Sequence, residues 1–453
     1  MLRALYRNSI LLLPLASLSI LQPNIRAQMA PADSPGKPVK EECAKPADPS
    51  SEEAAPVANE TTPSSPDQES ARSKMAAEKQ HKQQEAQGTA DARPAKQEKK
   101  GSWLFAPIPI SSPAVGSGLE FAVARVFPLN KQDEVSPPSA VGVGGVFTNN
   151  GTRAFAVGGR LYFKEDKYRI ATALGTANVN LDIYGVGKAA GDNGIYVPLN
   201  GNGKGFLFEG LYGLKKRFYV GFRGQYRNLR LSLDKEKFAE DSDISAQPPE
   251  QVAEVIDQIG QELLQQQTVS LGPRIEWDTR DSTYYPKKGL LMDVNMDFFS
   301  TGLGSKWSYQ YYKFGFSKYH GIGDYQVLAF RGMGCAVAGD RVPIYDLCLF
   351  GAANDIRGYS VGRYQDRRMF AAQAEYRLMI PTKGFLGRFG VVAFAGFGGV
   401  GRKFSDIGWS DLLPGGGVGA RFRLLKKQPI NFRIDYARGD AGSTVTIGVL
   451  EAF

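Results

Sequence analysis

Apolar and polar residues alternate along most of the chain from residue 101 to residue 453. In the segment VSLGPRIEWDTRD, apolar residues share one face and charged residues share the other. The charged face consists of Arg274, Glu276, Asp278 and Arg280. The segments GLLMDVNMDFF, MFAAQAEYRL and QPINFRIDYARG repeat the pattern. Their polar faces include Asp293, Gln373, Glu375, Arg377, Arg433 and Asp435. A period of two predicts β-strands with one apolar and one polar face, and hence an all-β fold.

The pattern predicts about sixteen strands, with turn residues between them. The predicted strands are 104–111, 118–128, 139–148, 153–163, 168–178, 204–215, 217–233, 266–279, 288–300, 306–320, 324–338, 367–379, 388–400, 411–424, 429–438 and 443–453. An even number of antiparallel strands is typical of single-chain bacterial membrane barrels.

The strands of a soluble β-sandwich also alternate apolar and polar residues, so composition has to distinguish a sandwich from a membrane barrel. The polar faces are rich in Arg, Asp, Glu, Gln and Gly, which suggests a crowded interior and not a face toward bulk water. Aromatic residues collect near the predicted strand ends: Trp103, Phe105, Phe127, Tyr284, Tyr285, Trp307, Tyr312 and Trp409. Such residues form the interfacial girdles of membrane barrels. The sequence therefore predicts a transmembrane antiparallel β-barrel with its charged faces directed to the lumen.

The predicted connections fall into two groups. With the first strand starting on the periplasmic side, the turns near 165–167, 215–217, 320–324 and 425–428 are periplasmic. The long segments 179–203, 234–265 and 339–366 are then extracellular. Short turns on one side and long loops on the other are expected of an outer-membrane barrel.

The N-terminal part of the chain has a different composition. Residues 1–27 combine Arg3 and Arg7 with the apolar run SILLLPLASLSIL and a small residue, Ala27, which predicts a cleavable export signal. Residues 28–100 are rich in Pro, Ala, Ser and Glu and almost lack large apolar residues. Such a segment cannot bury enough apolar surface to offset the entropy of ordering, so we expect a disordered periplasmic tail. The barrel domain is expected to span 101–453.

Composition also limits the chemistry. The formal net charge is +9, but the cations alternate with apolar residues along strands and do not cluster on one face, so nucleic acid is not an expected partner. Two histidines leave little from which to build a zinc site, and neither a metal nor another cofactor is predicted. An exported chain could form a Cys335–Cys348 bridge, but three cysteines in 453 residues favour a fold that does not rely on disulfides.

The segment GAANDIRGYSVGRY, at 351–364, admits three interpretations. As G-x-S-x-G it would be the nucleophile elbow of a hydrolase, which needs a following helix and a histidine base. No helical pattern follows Ser360, and His320 is predicted in a turn at the opposite end of the barrel. Similarly, the G-x-G-x-x-G that begins at Gly396 ends a strand and precedes no helix, so it is no dinucleotide site. The remaining interpretations are a glycine-rich connection and a loop that enters the lumen.

Asp355-Ile356-Arg357-Gly358-Tyr359 resembles the (V/I)-R-G-(F/Y) motif of the BamA/TamA outer-membrane assembly family, the bacterial surface antigen barrels. Further similar segments occur in the same order: EWDTRD at 276–281, YPKKG at 285–289, QAEYR at 373–377, RIDY at 433–436 and the final Phe453. The resemblance implies that the loop folds into the lumen and that Arg357 pairs with an acidic wall residue. Glu375, between Gln373 and Arg377, is the expected partner. It also implies that Phe453 acts as a C-terminal assembly signal.

Two features depart from that family. The family usually has a second acidic residue on the thirteenth strand, where this sequence has Gly396, so Arg357 is expected to rely on Glu375, helped by lumen-facing groups elsewhere, with Asp278, Asp293 and Asp435 as the alternative partners. The segment 28–100 is too polar for a POTRA domain, which suggests a barrel-only member. The resemblance implies a role in envelope biogenesis, the insertion or translocation of polypeptides or lipids, without catalysis. A gated pore or translocator, with the Arg357 loop as its plug, is the alternative. The implied partners are the outer-membrane bilayer, the machinery that inserts the barrel itself, an unidentified client and a periplasmic protein that binds the tail.

Overall fold

The computed structural model describes residues 102–112, 116–130, 132–133, 135–215, 217–240, 247–260, 265–351, 355–424 and 429–453. The predicted export signal at 1–27, the predicted tail at 28–100 and the predicted start of the barrel at Gly101 lie outside these residues.

Within the described residues the chain forms eighteen strands. In chain order they are β1 Ser102–Ser112, β2 Gly116–Phe127, β3 Ser139–Thr148, β4 Arg153–Phe163, β5 Tyr168–Tyr184, β6 Tyr196–Gly213, β7 Phe218–Leu233, β8 Gln265–Asp278, β9 Gly289–Phe299, β10 Tyr309–Ile322, β11 Gln326–Ala338, β12 Cys348–Leu349, β13 Gln365–Asp366, β14 Arg368–Met379, β15 Phe389–Gly401, β16 Leu413–Arg423, β17 Asn431–Gly439 and β18 Gly442–Val449.

Sixteen of these strands close into one antiparallel barrel, in which neighbours in the chain are neighbours in the sheet. The exception is the step from β11 to β14, because β12 and β13 form a separate two-stranded ribbon inside the connecting loop. The predicted all-β barrel of about sixteen strands is therefore confirmed. Strands β3 and β4 have the predicted bounds. Strands β5 and β6 extend further than predicted and pair up to Tyr184 and Tyr196, so the predicted loop 179–203 is mostly a hairpin.

Side chains alternate between the interior and the outer face of the barrel. On β14, Gln373, Glu375 and Arg377 are buried, whereas Tyr376 is exposed. Trp103, Phe105 and Trp409 are among the most exposed aromatic residues of the outer surface. Two of the predicted girdle residues were assigned wrongly: Tyr284 and Tyr285 are buried, because the β8–β9 connection turns inward and directs them to the interior.

The barrel has two different ends. The loop rim carries the connections 185–195, 234–264 and 339–367, and the turn rim is the opposite end. Among the described residues of the loop-rim connections, three helices are present: α1 Lys188–Asn193, α2 Lys235–Glu240 and α3 Pro249–Gly260. Short 3₁₀ turns occur at Thr301–Leu303, Ile344–Asp346, Leu386–Arg388, Phe404–Asp406 and Trp409–Asp411. In the part of the chain that the structure describes, no helix is long and apolar enough to cross a membrane.

An apolar cluster covers the lumen at the loop rim. Val252, Val255 and Ile259 lie on one side of α3 and pack with buried residues such as Ile183 and Ile344. Their spacing of three and four residues is typical of an amphipathic helix. The segment 234–265, predicted to be a loop, therefore contains a helix that packs into the core.

The seam between β1 and β18 differs from every other strand junction. Among the described residues, β1 and β18 share a single register pair, Ser111↔Ile447. On their other sides, β1 forms eleven pairs with β2 and β18 forms eight pairs with β17. Every other junction pairs over seven or more described positions, with one interruption at Gly272 and Pro273 between β8 and β9, whereas the two edge strands of the seam share one described pair.

Candidate functional site

The connection between β11 and β14 folds back into the barrel. The β12–β13 ribbon closes the base of this loop, and the amide of Phe350 donates to the carbonyl of Tyr364 at 2.9 Å. Beyond the ribbon, Asp355, Ile356, Arg357, Gly358 and Tyr359 form a buried segment, which we call the loop tip. The motif identified in the sequence therefore lies in the interior, against the inner faces of β14 to β17.

A disulfide bond joins Cys335 on β11 to Cys348 on β12, with a Cα–Cα distance of 5.7 Å. The expectation that the fold does not use disulfides was wrong. The reason is geometric: the loop returns at once to the strand it has left, which brings two cysteines thirteen residues apart into contact. A second contact anchors the loop two residues before Cys348. There, Asp346 accepts two hydrogen bonds from Arg227 of β7, at 2.8 and 2.5 Å.

Arg357 holds the loop tip to the wall. Its Nη1 donates to Oδ2 of Asp435 at 2.9 Å, and its Nη2 donates to Oε1 of Gln373 at 3.2 Å and to Oε2 of Glu375. Its guanidinium carbon lies 3.3 Å from the centre of the Phe394 ring. A guanidinium that is 97% removed from solvent needs paired acceptors, and two carboxylates and a ring face supply them.

Glu375 is one of two carboxylates that pair with Arg357. The second carboxylate is that of Asp435 on β17, two strands beyond Gly396. The sequence pattern correctly directs Asp435 to the lumen, but strand order and barrel curvature decide that it reaches the same guanidinium as Glu375.

The contacts of Arg357 belong to a larger group, which we call the lumen network. Its members are Arg357, Glu375, Arg377, Arg421, Arg433, Asp435 and Glu451. Arg377 donates to Glu375 at 2.7 Å, while Arg421 donates to Asp435 at 2.5 Å and to Glu451 at 2.7 Å. Arg433 also reaches Asp435, at 2.8 Å. Asp435 thus serves three arginines, which makes it the centre of the network.

A row of glycines makes room for the loop tip. Gly396, Gly415 and Gly439 are register partners on β15, β16 and β17. A Cβ at Gly396 or Gly415 would lie 2.8 or 2.6 Å from side-chain atoms of Ile356, and a Cβ at Gly439 would lie 2.4 Å from the ring of Tyr359. At Gly396 a Cβ would lie even closer to the neighbouring strand, 2.4 Å from the Ala372 carbonyl oxygen and 2.6 Å from Cβ of Gln373, so the wall and the loop tip together leave no room for a larger side chain.

Tyr359 fixes the far side of the loop tip. Its hydroxyl donates to the carbonyl of Pro414 and accepts from the amide of Asp440 at 3.2 Å. Burial raises the pKa of Tyr359 to about 12, so the hydroxyl keeps its proton at neutral pH. Gly358 has a φ of 112°, and a Cβ there would meet the Arg438 carbonyl carbon at 2.6 Å, so this position requires glycine.

The other predicted lumen charges lie in two places. Arg274 donates to Glu209 and Glu276, each at 3.2 Å, and lies 4.0 Å from Asp293, on the wall of β6 to β9. Arg280 pairs with Asp278 at 2.6 Å near the end of β8. These residues are directed inward as predicted by the alternation, and their ion pairs join wall residues to one another.

Phe453 lies inside the barrel. Strand β18 ends at Val449, four residues before the predicted end, because Leu450 has a φ of 73° and turns the chain inward. Phe453 is fully buried, its carbonyl accepts from Arg377 at 2.8 Å, and its ring centre is 5.3 Å from that guanidinium. Its role as an assembly signal stays a prediction.

The hydrolase interpretation finds no supporting geometry. Ser360 follows the loop tip in the interior, whereas His320 is exposed on the outer face. His320 lies within β10 and pairs with Leu328, so its predicted place in a turn was wrong. Among the described residues, no group of three or more His, Cys, Asp or Glu side chains has the arrangement of a metal site.

The closed antiparallel wall, the apolar outer face and the ion-paired interior define a transmembrane β-barrel. Residues 146–440 match the Omp85 superfamily domain, and the chain belongs to the Omp85 superfamily. No curated protein matches the sequence.

Solved structures with a similar fold have low sequence identity to this chain. BamA from Haemophilus ducreyi lacking POTRA domains 1–3 matches with a TM-score of 0.52 and 13% identity, over 78% of this chain and 70% of that one. CdiB from Acinetobacter baumannii matches with a TM-score of 0.47 and 12% identity, over 78% of this chain and 60% of CdiB. The BamA match supports the fold.

Proposed function

We propose that this chain is an outer-membrane barrel of envelope biogenesis, which passes polypeptide segments into or across the membrane through its seam. The chain reaches the membrane through the predicted export signal and the cell's own barrel-insertion machinery. Residues 28–100 remain in the periplasm, where they offer a binding segment to a partner protein. No covalent chemistry is part of this role.

The observation that carries the proposal is the seam. Unpaired backbone N–H and C=O groups are costly in hydrocarbon, each by several kcal/mol, which is why membrane barrels close their edges. Every other junction of the wall pairs over seven or more described positions, whereas β1 and β18 share a single described pair. The seam therefore leaves backbone groups that another strand can satisfy. The loop tip meanwhile fills the lumen beside β14 to β17, so the seam is the available route.

A covalent lock across the seam tests this proposal. In Ser111→Cys/Ile447→Cys, register partners can form a disulfide that holds β1 to β18. We expect cells that depend on this variant to lose folded outer-membrane proteins, and reductant to restore them. The matched control, Leu119→Cys/Phe147→Cys, joins β2 and β3, which already pair along their length, and should behave as the wild type in both conditions. Normal assembly with a fully formed lock would contradict the proposal.

A gated pore is the second candidate, because the loop occupies the lumen. In planar bilayers, deletion of 351–364 should then convert a low, flickering conductance into a large and steady one, and the seam lock should leave transport unchanged. The two candidates thus predict opposite effects of the lock.

A further inference from the structure

Two connections at the turn rim, 164–167 between β4 and β5 and 214–217 between β6 and β7, are strongly basic. Their sequences are KEDK and LKKR. Asp166 accepts two hydrogen bonds from the guanidinium of Arg169, at 2.8 and 2.7 Å, and this ion pair neutralises its charge. Among the described residues, the exposed charges of the two connections are four cations and the carboxylate of Glu165. This part of the turn rim is therefore positive.

Two lysines of the first connection lie over a pair of tyrosines. Tyr168 and Tyr212 are register partners on β5 and β6, and their ring centres are 5.3 Å apart. The ammonium of Lys164 lies 5.6 Å from the centre of the Tyr168 ring, and that of Lys167 lies 5.4 Å from the centre of the Tyr212 ring. Among the described residues, neither ammonium has a carboxylate at ion-pair distance. Ring faces thus position both cations, while their N–H groups stay available to an anion.

Another cation at the turn rim shows the difference. The guanidinium of Arg388 lies 4.6 Å from the centre of the Phe422 ring, but its Nε and Nη2 donate at 2.7 Å to the carbonyls of Arg423 and Leu424. Those donors hold the neighbouring connection in place. The two lysines have no such structural task among the described residues.

An apolar surface continues from the tyrosines toward the middle of the barrel. Ile170 and Leu174 follow Tyr168 on the outer face of β5 and are 36% and 55% exposed. Beside Ile170, Gly210 of β6 faces outward, and a Cβ there would meet nothing closer than the Phe208 ring, at 3.6 Å. The glycine therefore leaves a shallow depression. Ammonium groups, tyrosine rings and apolar side chains follow one another here as phosphate, interface and acyl chains do in one leaflet of a bilayer.

We propose that this surface, which we call the lysine–tyrosine site, binds one anionic phospholipid. The phosphodiester lies between the ammonium groups of Lys164 and Lys167, and an acyl chain runs along Ile170 into the depression at Gly210. Anionic headgroups attract basic residues that lie next to an apolar membrane surface. The site is independent of the seam and of the proposed passage of polypeptides.

The charge of the opposite rim favours a phospholipid as the occupant. The loop-rim connection 234–264 contains nine acidic residues and two lysines, so it repels an anionic headgroup. With the turn rim on the periplasmic side, as the lengths of the connections predict, the lipids that reach the site are phospholipids. The phosphorylated glycolipid of the outer leaflet meets the acidic loop rim instead.

The test uses the purified full-length chain in nanodiscs of phosphatidylcholine that contain increasing mole fractions of phosphatidylglycerol with a photoreactive acyl chain. We expect adducts at 168–174 and 206–212. A phosphatidylcholine that carries the same photoreactive chain should need a mole fraction about tenfold higher or more for the same yield at these positions.

A pair of charge variants tests the cations. Lys164→Gln/Lys167→Gln should raise the mole fraction needed for half-maximal labelling by about tenfold or more, because each basic residue near anionic headgroups contributes about a factor of five. Lys164→Arg/Lys167→Arg keeps both charges and should label as the wild type does. The matched control, Lys188→Gln/Lys306→Gln, removes the same charge from the loop rim and should leave labelling unchanged. Heat-modifiable mobility in unheated gels checks that each variant is a folded barrel.

A second variant tests the depression without a change of charge. Gly210→Leu fills the space beside Ile170 and should reduce the adducts at 206–212 several-fold. Gly332→Leu is the control, because Gly332 also faces outward and a Cβ there would meet nothing within 4 Å. It should label as the wild type does.

Three results would each overturn the proposal. The first is equal labelling of these positions by the phosphatidylcholine probe. The second is labelling by phosphatidylglycerol that does not change in the folded Lys164→Gln/Lys167→Gln variant. The third is displacement of the phosphatidylglycerol probe by lipid A at the same mole fraction as by unlabelled phosphatidylglycerol, which would assign the site to phosphorylated lipids in general.

Discussion

The wall that carries the loop and the wall that carries the seam use the same alternating pattern, yet they are held together differently. Strands β14 to β17 pair along their length, and the lumen network crosses them from Glu375 to Asp435. At the seam, β1 contributes no member of that network and shares one described pair with β18. The two walls thus differ in how neighbouring strands are held together: by continuous pairing and ion pairs beside the loop, and by one described pair at the seam.

Asp435→Ala is expected to cause the largest loss of stability in the wall that carries the loop. Loss of this carboxylate leaves Arg357, Arg421 and Arg433 without a shared partner, and removal of one member of a buried ion pair costs about 5 kcal/mol at the upper end of its range. The free energy of unfolding in urea, followed by tryptophan fluorescence, should fall by this amount. Asp324→Ala, in an exposed turn, is the control and should unfold as the wild type does. Equal stability of the two variants would show that the network does not hold the wall.

The next effect concerns coupling between the loop and the wall. Arg357→Ala and Glu375→Ala should each reduce the free energy of unfolding by ~3–5 kcal/mol, because each breaks a buried ion pair and leaves the remaining group with one counter-charge instead of two. The double variant should be little worse than either single one, which is the mark of direct contact. Strictly additive losses would show that Asp435, and not Glu375, is the main partner of Arg357. Ser360→Ala, which removes no charge from the lumen network, should leave the free energy of unfolding unchanged.

A smaller effect is expected from the disulfide. A bridge that closes a loop of this length contributes about 3 kcal/mol by restricting the unfolded chain, so Cys335→Ser/Cys348→Ser should lose about that much. Reductant should destabilise the wild type equally and leave the variant unchanged. Cys43→Ser is the matched control and should keep the wild-type response to reductant. If the wild type ignores reductant, the bridge does not anchor the loop.

The smallest effect comes from steric pressure on the loop tip. Gly415→Ala places a methyl group against Ile356 and should cost about 1–3 kcal/mol, as overpacking does. Adding Ile356→Ala should recover part of the loss. Gly332→Ala, where a Cβ would meet nothing within 4 Å, should have no such cost. A neutral Gly415→Ala would mean that the tip is not pressed against the wall.

The sequence predicted the wall better than it predicted the contacts inside it. Alternation located β3 and β4 to the residue and directed Glu375 and Asp435 inward, because a period of two fixes the face of every residue. It did not show that Asp435 meets Arg357, since this depends on which strands are adjacent across the curved interior. The Cys335–Cys348 bridge was not expected for a similar reason, because it depends on the loop returning to the strand that it leaves.

The structure differs from the sequence-based prediction in two further places, helix α3 and the end of β18, where tertiary contacts decide the local structure. Helix α3 has a helical signal in the sequence, the spacing of Val252, Val255 and Ile259. Its position between two strands nevertheless favours the interpretation as a loop. The end of β18 had no such signal: alternation continues to Phe453, and only the positive φ of Leu450 and the contact with Arg377 direct the chain inward.

The glycine row constrains how this protein can have diverged from its relatives. The resemblance to the BamA/TamA family implies an acidic residue at position 396, but here Ile356 fills that volume, with its Cδ1 only 2.8 Å from where a Cβ would be. The Ala372 carbonyl oxygen would lie closer still, at 2.4 Å, so shortening Ile356 alone does not make room for an acidic side chain at 396. We therefore expect position 396 to stay small wherever the wall and the loop tip pack as they do in this chain.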